Sequence, residues 1–145
     1  MASASAEIRL KRVYDEPSPH DGARILVDRL WPRGLTKQAA HLQSWLRDLA
    51  PSNELRKWYH ARPEEWGEFR RRYGQELQRP AAAKALDELY QLTSREKRVT
   101  LLFASKNLER NNATVLKEVL EGRKKPASAA KFSEKIVIRR QELKQ

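Results

Sequence analysis

Along the first half of the chain the apolar positions change period several times, and each change predicts a new element. Residues 8–14, Ile-Arg-Leu-Lys-Arg-Val-Tyr, alternate apolar and basic side chains, the period-2 pattern of a strand with one buried face. Asp15 to Gly22 holds two prolines and an Asp-Gly pair, which predict a loop. Arg24–Asp28 then places Ile, Leu and Val in succession, as in a strand covered on both faces. From Thr36, Ala39, Leu42, Trp45, Leu46 and Leu49 fall at helical spacing, so one helix capped by Thr36 and ended by Pro51 is expected.

The second half reads mostly as helix. Leu55, Trp58 and Tyr59 predict a short helix after Ser52; Trp66, Phe69, Tyr73 and Leu77 predict a longer one, with Pro63 near its start and Pro80 closing the unit. Ala82, Ala85, Leu86, Leu89 and Tyr90 outline another. Val99–Ala104, Val-Thr-Leu-Leu-Phe-Ala, is the strongest buried-strand pattern in the chain. Ala113, Leu116, Val119 and Leu120 follow at helical spacing, with Asn111 or Asn112 as N-cap and Gly122 as the stop. The expected architecture is a small single α/β domain, with a mostly parallel sheet of three to four strands flanked by helices. That domain spans residues 1–122, and 123–145 is read as a basic C-terminal extension that adds a helix or strand.

Composition narrows the picture. A chain of 145 residues with 39% hydrophobic and 34% charged positions supports one modest core, disfavouring both two full domains and wholesale disorder. No stretch of 18 or more apolar residues occurs, and the first residues lack a basic flank before an apolar run, so neither a membrane span nor a secretory signal is expected and a cytoplasmic location is. With no cysteine, disulfides, thiolate nucleophiles and cysteine-held metals are excluded. The net charge of +11 invites a nucleic-acid reading, yet residues 123–145 carry eight basic against two acidic side chains. More than half of the surplus therefore belongs to the extension.

Candidate chemistry gathers after two strands, where parallel sheets place ligands. Asp28, Arg29, Leu30, Trp31, Pro32, Arg33 and Gly34 concentrate a carboxylate, two guanidinium groups and an indole beside a rigid turn. After the Val99–Ala104 strand come Ser105, Lys106, Asn107, Glu109, Arg110, Asn111 and Asn112, leading into a helix whose first N–H groups favour anions. Arg33, Lys106 and Arg110 are suited to a phosphate or carboxylate, with Asp28 holding an arginine or moving a proton. Each of these residues also has a plain structural reading: an Asp28–Arg29 pair, Trp31 as a lid on the core, asparagines as caps.

No Walker loop, no Gly-x-Gly-x-x-Gly and no His-Glu-x-x-His is present, so no cofactor and no metal is expected. His20, His41 and His60 lack metal-ligand spacing. Of the four tryptophans, Trp31 alone lies off a helical stripe and is the one candidate ligand contact.

The string Ile25-Leu-Val-Asp-Arg-Leu-Trp-Pro-Arg-Gly34 resembles the signature of the YeaO-like family, within domain of unknown function 488. Asp48–Ser52, Glu54–Trp58, Phe69–Tyr73, Leu101–Asn107, Asn111 and Val115–Leu116 are similar to the same family, so the resemblance covers roughly residues 8–121. It implies a small bacterial α/β domain. More distant members resemble one another in an Asp-x-Arg element after one strand, to which Asp28-Arg29 corresponds, and a Cys-His-Arg element after another. The latter stands here as Ser105-Lys106-Asn107, without cysteine or histidine.

Three functions follow as expectations. The first is a module binding a phosphate-bearing ligand, nucleotide or nucleic acid, through Arg29, Trp31, Arg33, Ser105, Lys106, Asn107, Arg110, Asn111 and Asn112. The second is an enzyme acting on a small nucleotide-like or sugar-phosphate substrate, with Asp28 as acid or base. The third is a structural or interaction protein without a catalytic site.

Overall fold

The computed structural model describes residues 6–122; the extension expected over 123–145 lies outside the described residues. Four strands, β1 (Glu7–Arg12), β2 (Ala23–Leu26), β3 (Ser44–Trp45) and β4 (Arg98–Phe103), form a single parallel sheet in the order β1-β4-β2-β3. Five helices complete the domain: α1 (Lys37–Ala40), α2 (Asn53–Ala61), α3 (Trp66–Glu76), α4 (Pro80–Arg95) and α5 (Asn112–Gly122). This is the expected small α/β domain, with β4 central. Its residues Val99 to Phe103 are all buried, as the unbroken apolar run predicted.

The two faces of the sheet differ. Val99 is paired with Ile8 and Ala23 in one row, and Leu101 with Leu10 and Ile25 in the next. These side chains point to the face covered by α2 to α5. There they meet Leu55, Phe69, Tyr73, Leu89 and Leu116 in the main core. Each fully buried side chain of this size contributes about 1.5–3 kcal/mol. The alternate positions build a small second cluster, Val13, Leu26 and Leu102, covered by Trp31, Leu35, Leu42 and Trp45 rather than by a long helix. Toward the beginnings of the strands that second face becomes polar, with Lys11, Arg24, Arg98 and Thr100.

Local chemistry fixes the element ends. Ser52 caps α2, its hydroxyl accepting from the Leu55 N–H at 3.1 Å. Asn111 caps α5, its side-chain oxygen accepting from the Thr114 N–H at 3.0 Å. Pro80, expected to close the preceding unit, instead opens α4 at its first turn, where a missing N–H costs nothing. Gly22 sits at φ 65°, and an added Cβ would lie 2.3 Å from the Arg98 carbonyl oxygen.

The single helix expected from Thr36 to Pro51 does not form. Thr36 does cap a helix, but it lasts only one turn, α1, and His41 turns the chain at φ 50°. The Gln43 and Leu46 N–H groups then donate to the carbonyls of Arg24 and Leu26, laying β3 against β2, and Arg47–Leu49 closes in a 3-10 turn. The apolar residues divide between the faces: Leu42 and Trp45 cover the second cluster, while Leu46 and Leu49 enter the main core. A helix would hold all four on one stripe. Among the described residues no helix is long and apolar enough to cross a membrane.

Candidate functional site

The segments after β1, β2 and β4 meet at the carboxyl end of the sheet. Sheet pairing continues past the strands, the Val27 N–H donating to the Leu102 carbonyl and the Val13 N–H to that of Phe103. Asp28 therefore emerges beside Ala104. One carboxylate oxygen accepts from the Ala104 N–H at 2.8 Å and the other from the Asn112 side-chain amide at 3.1 Å, while that amide also donates to the Val27 carbonyl at 2.9 Å. Asp28 and Asn112, from the two predicted loops, thus share one clasp. Burial pushes the Asp28 carboxyl above its ordinary range, opposed by the Ala104 N–H, the Asn112 amide and the charge of Arg56.

The neighbouring residues are held equally firmly. Arg29 donates to the Ala50 carbonyl at 3.1 Å and toward that of Pro51, tying the β2 loop to the start of α2 rather than to Asp28. Trp31 donates to the Leu35 carbonyl at 2.6 Å and packs edge-on against Trp45, whose indole N–H donates to the Asp28 carbonyl at 2.7 Å. Pro32 and Gly34, the latter at φ 80°, make the tight turn between them. In the β4 loop the Asn107 side chain accepts from the Glu109 and Arg110 N–H groups, and Asn111 donates back to the Asn107 carbonyl. The Ser105 hydroxyl accepts from the Asn107 N–H. Ser105, Asn107 and Asn111 shape the loop.

What remains open is cationic. Arg33, Lys106 and Arg110 are exposed, and none has an ion pair or side-chain hydrogen bond among the described residues. Arg33 is placed through its backbone, whose carbonyl accepts from the Tyr14 hydroxyl at 3.0 Å. The Tyr14 ring lies 5.1 Å from the Arg12 guanidinium, and Arg12 donates to the carbonyls of Ala104 and Ser105 at 2.7 and 3.0 Å. The segments carrying Arg33 and Lys106 are therefore joined through the end of β1. Neither Arg12 nor Tyr14 was singled out from the sequence, where both read as positions of an alternating strand. Applying the strand-end rule to the first strand as well as the other two finds them.

Behind the clasp lies a second layer that sequence reasoning missed. Tyr73 is buried and its hydroxyl donates to the Leu49 carbonyl. Burial pushes that phenol well above its usual range, helped by the negative charges of Asp28 and Glu76 and opposed by Arg29. Glu76 accepts from both the N–H and the hydroxyl of Ser52, at 2.8 and 2.6 Å. Tyr73 reads from sequence as one core position of a helical stripe, and Glu76 does not stand out there. Only the packing of α3 against the start of α2 shows their shared task. Among the described residues no group of three or more His, Cys, Asp or Glu side chains is arranged to hold a metal ion.

The class so defined is a small parallel α/β domain with a hydrogen-bonded clasp and exposed cations at the carboxyl ends of its strands. The family model described as the inactive DUF488-N3 subclade matches residues 7–136, and the chain belongs to that family. It is 46% identical over 116 residues to the Uncharacterized protein Rv3073c of Mycobacterium tuberculosis, covering 80% of this chain and 95% of that one. The Uncharacterized protein Mb3100c of Mycobacterium bovis has the same identity and coverage. The Uncharacterized protein YeaO of Escherichia coli is 41% identical over 114 residues, covering 78% of this chain and 96% of its own. No solved structure matches the chain.

Proposed function

We propose that this protein is a non-catalytic binding module that takes a phosphate-bearing ligand, a nucleotide or a nucleic acid, over the carboxyl end of its sheet. The observation that carries this reading is a division of labour. The Asp28 carboxylate and the Asn112 side-chain N–H are engaged in the clasp, whereas Arg33, Lys106 and Arg110 stay exposed, with no ion pair among the described residues. Cations without carboxylate partners favour a multivalent anion, and a stiff loop lowers the entropy lost in holding it.

Support also comes from what the β4 loop lacks. Where distant relatives resemble one another in a Cys-His-Arg element, this chain has Ser105-Lys106-Asn107, removing the thiolate and imidazole suited to nucleophilic or acid–base work. The family description, inactive, agrees with binding rather than turnover.

The test is incubation of the full chain with ATP and, separately, with a labelled single-stranded oligonucleotide, reading binding by calorimetry or anisotropy and ligand integrity by mass spectrometry. Saturable binding that weakens in Arg33→Ala and Lys106→Ala, with the ligand recovered intact, is expected. Ligand conversion abolished by Asp28→Asn overturns the proposal in favour of an enzyme. Absence of binding leaves an interaction protein whose polar clusters serve stability.

A further inference from the structure

A second cationic site lies at the opposite end of the sheet, on the face that α2 to α5 leave uncovered. A parallel sheet is ordinarily buried on both faces. Here apolar cover on the second face is confined to the part around Val13, Leu26 and Leu102. Nearer the strand beginnings the same face presents Arg9 and Lys11 from β1, with Arg98 and Thr100 beside them on β4. A cavity of about 470 Å³ opens over these residues, bounded on its far side by Ser18, His20 and Asp21 of the turn before β2. That volume falls in the range used by small-molecule sites.

The charges around the cavity do not balance. Asp21 is buried and accepts from Lys11 at 3.1 Å and from Arg24 at 2.6 Å. Glu7 serves Arg98 at 2.8 Å and Arg9 at 3.5 Å, and also feels the charge of Lys117. Among the described residues, two carboxylates therefore answer Arg9, Lys11, Arg24 and Arg98. Arg24, behind Asp21, is 4% exposed, and among the described residues its Nη2 has no hydrogen-bond partner. Arg9 and Arg98 converge on a single backbone acceptor, the His20 carbonyl, at 3.2 and 2.9 Å, which draws both guanidinium groups to the cavity rim. Ser18 accepts from the His20 N–H and keeps its own hydroxyl proton to donate.

We infer that this cavity binds a phosphate group, held by Arg9 and Arg98 with the Ser18 hydroxyl as a further donor, while Lys11, whose ammonium donates to Asp21 and to the Glu16 carbonyl, contributes charge alone. Guanidinium pairs match the geometry of phosphate oxygens, and an anion there completes the charge balance that Glu7 and Asp21 leave open. The site is separate from the carboxyl-end cations and does not rest on the function proposed for them. The phosphate belongs either to a small molecule or to a nucleic-acid backbone.

The experiment is a titration of the full, isotopically labelled chain with pyrophosphate, AMP and a short single-stranded oligonucleotide, followed amide by amide by NMR. Saturable shifts at Ser18, Gly22, Arg98 and Thr100 are expected. Affinity read at those amides should fall roughly tenfold or more in Arg98→Gln and in Arg9→Gln, with the response of residues 105–112 unchanged. Saturation by pyrophosphate or AMP assigns a small molecule, and saturation by the oligonucleotide alone assigns a backbone phosphate. Arg9 makes one ion pair and is half exposed, so Arg9→Gln keeps the test open even if Arg98→Gln disturbs the fold. No saturable shift at those amides with any of the three, or unchanged affinity in a folded Arg9→Gln chain, overturns the inference. Shifts confined to 105–112 overturn it while leaving the carboxyl-end reading intact.

Discussion

Replacing Asp28 by alanine removes both acceptors of the clasp that joins the β2 and β4 loops to the start of α5. The Ala104 N–H, at 2.8 Å, and the Asn112 amide, at 3.1 Å, lose a charged acceptor in a partly buried place. Hydrogen bonds to charged groups are worth about 1.5–3 kcal/mol each. Relief of the carboxylate's own burial offsets part of that, so Asp28→Ala should cost about 2–4 kcal/mol. For a domain of this size that corresponds to a melting point lower by roughly 8–16 °C. Urea unfolding at neutral pH, followed by tryptophan fluorescence, measures the loss directly, and a loss below about 1 kcal/mol refutes the clasp. The pH dependence carries a sign. Because burial raises the Asp28 pKa in the folded state, the extra stability that protonation adds to the clasp is fully present below the unfolded value of about 3.9 and is lost as pH rises through the folded value, leaving the hydrogen bonds to the carboxylate. The stability of the natural chain relative to Asp28→Asn should therefore decline as pH rises from about 4; an increase contradicts the argument.

Asp21→Ala leaves the Arg24 guanidinium buried without its carboxylate and should cost about 3–5 kcal/mol in urea unfolding, a larger effect than any exposed ion pair here produces. Gly22→Ala combines positive φ with a 2.3 Å approach to the Arg98 carbonyl oxygen and should destabilise by about 3 kcal/mol or more, read as a lowered melting point. Glu68 is held at about 2 by hydrogen bonds from Arg71 and Arg72, so its contribution is present above the unfolded value near 4.5 and is lost as pH falls toward 2. Glu68→Gln should flatten the acid limb of stability against pH in that window.

Period and burial made most of the fold legible in the sequence. The alternation of Ile8 and Leu10 with basic residues, and the run Val99–Phe103, depend on local geometry that sequence pattern reports directly. The segment 36–50 was misleading because helical spacing records only that apolar residues recur. It does not record that Leu42 and Trp45 serve one face of the sheet while Leu46 and Leu49 serve the other. The candidate site was legible as two strand-end loops, since composition marks polar residues where a parallel sheet exposes its ends. Their division of labour was not. That Arg29 binds the Ala50 carbonyl rather than Asp28, or that Asp28 receives the Ala104 N–H, depends on contacts between residues 21 and 76 positions apart. The buried Asp21 was hidden for a related reason: it lies in a Pro- and Gly-containing turn whose composition signals exposure, while Lys11 and Arg24 fold over it from two strands.

The salt dependence of oligonucleotide binding by the full chain tests the central claim most directly, compared with the same chain carrying Arg33→Ala, Lys106→Ala and Arg110→Ala together. Each phosphate contact on a single strand contributes about 0.7 to the slope of log K against log salt. If these three cations hold the ligand, the triple variant should bind more weakly with a slope shallower by about 2, while its melting point stays unchanged. An unchanged slope in a folded triple variant contradicts the assignment of ligand binding to the carboxyl end of the sheet.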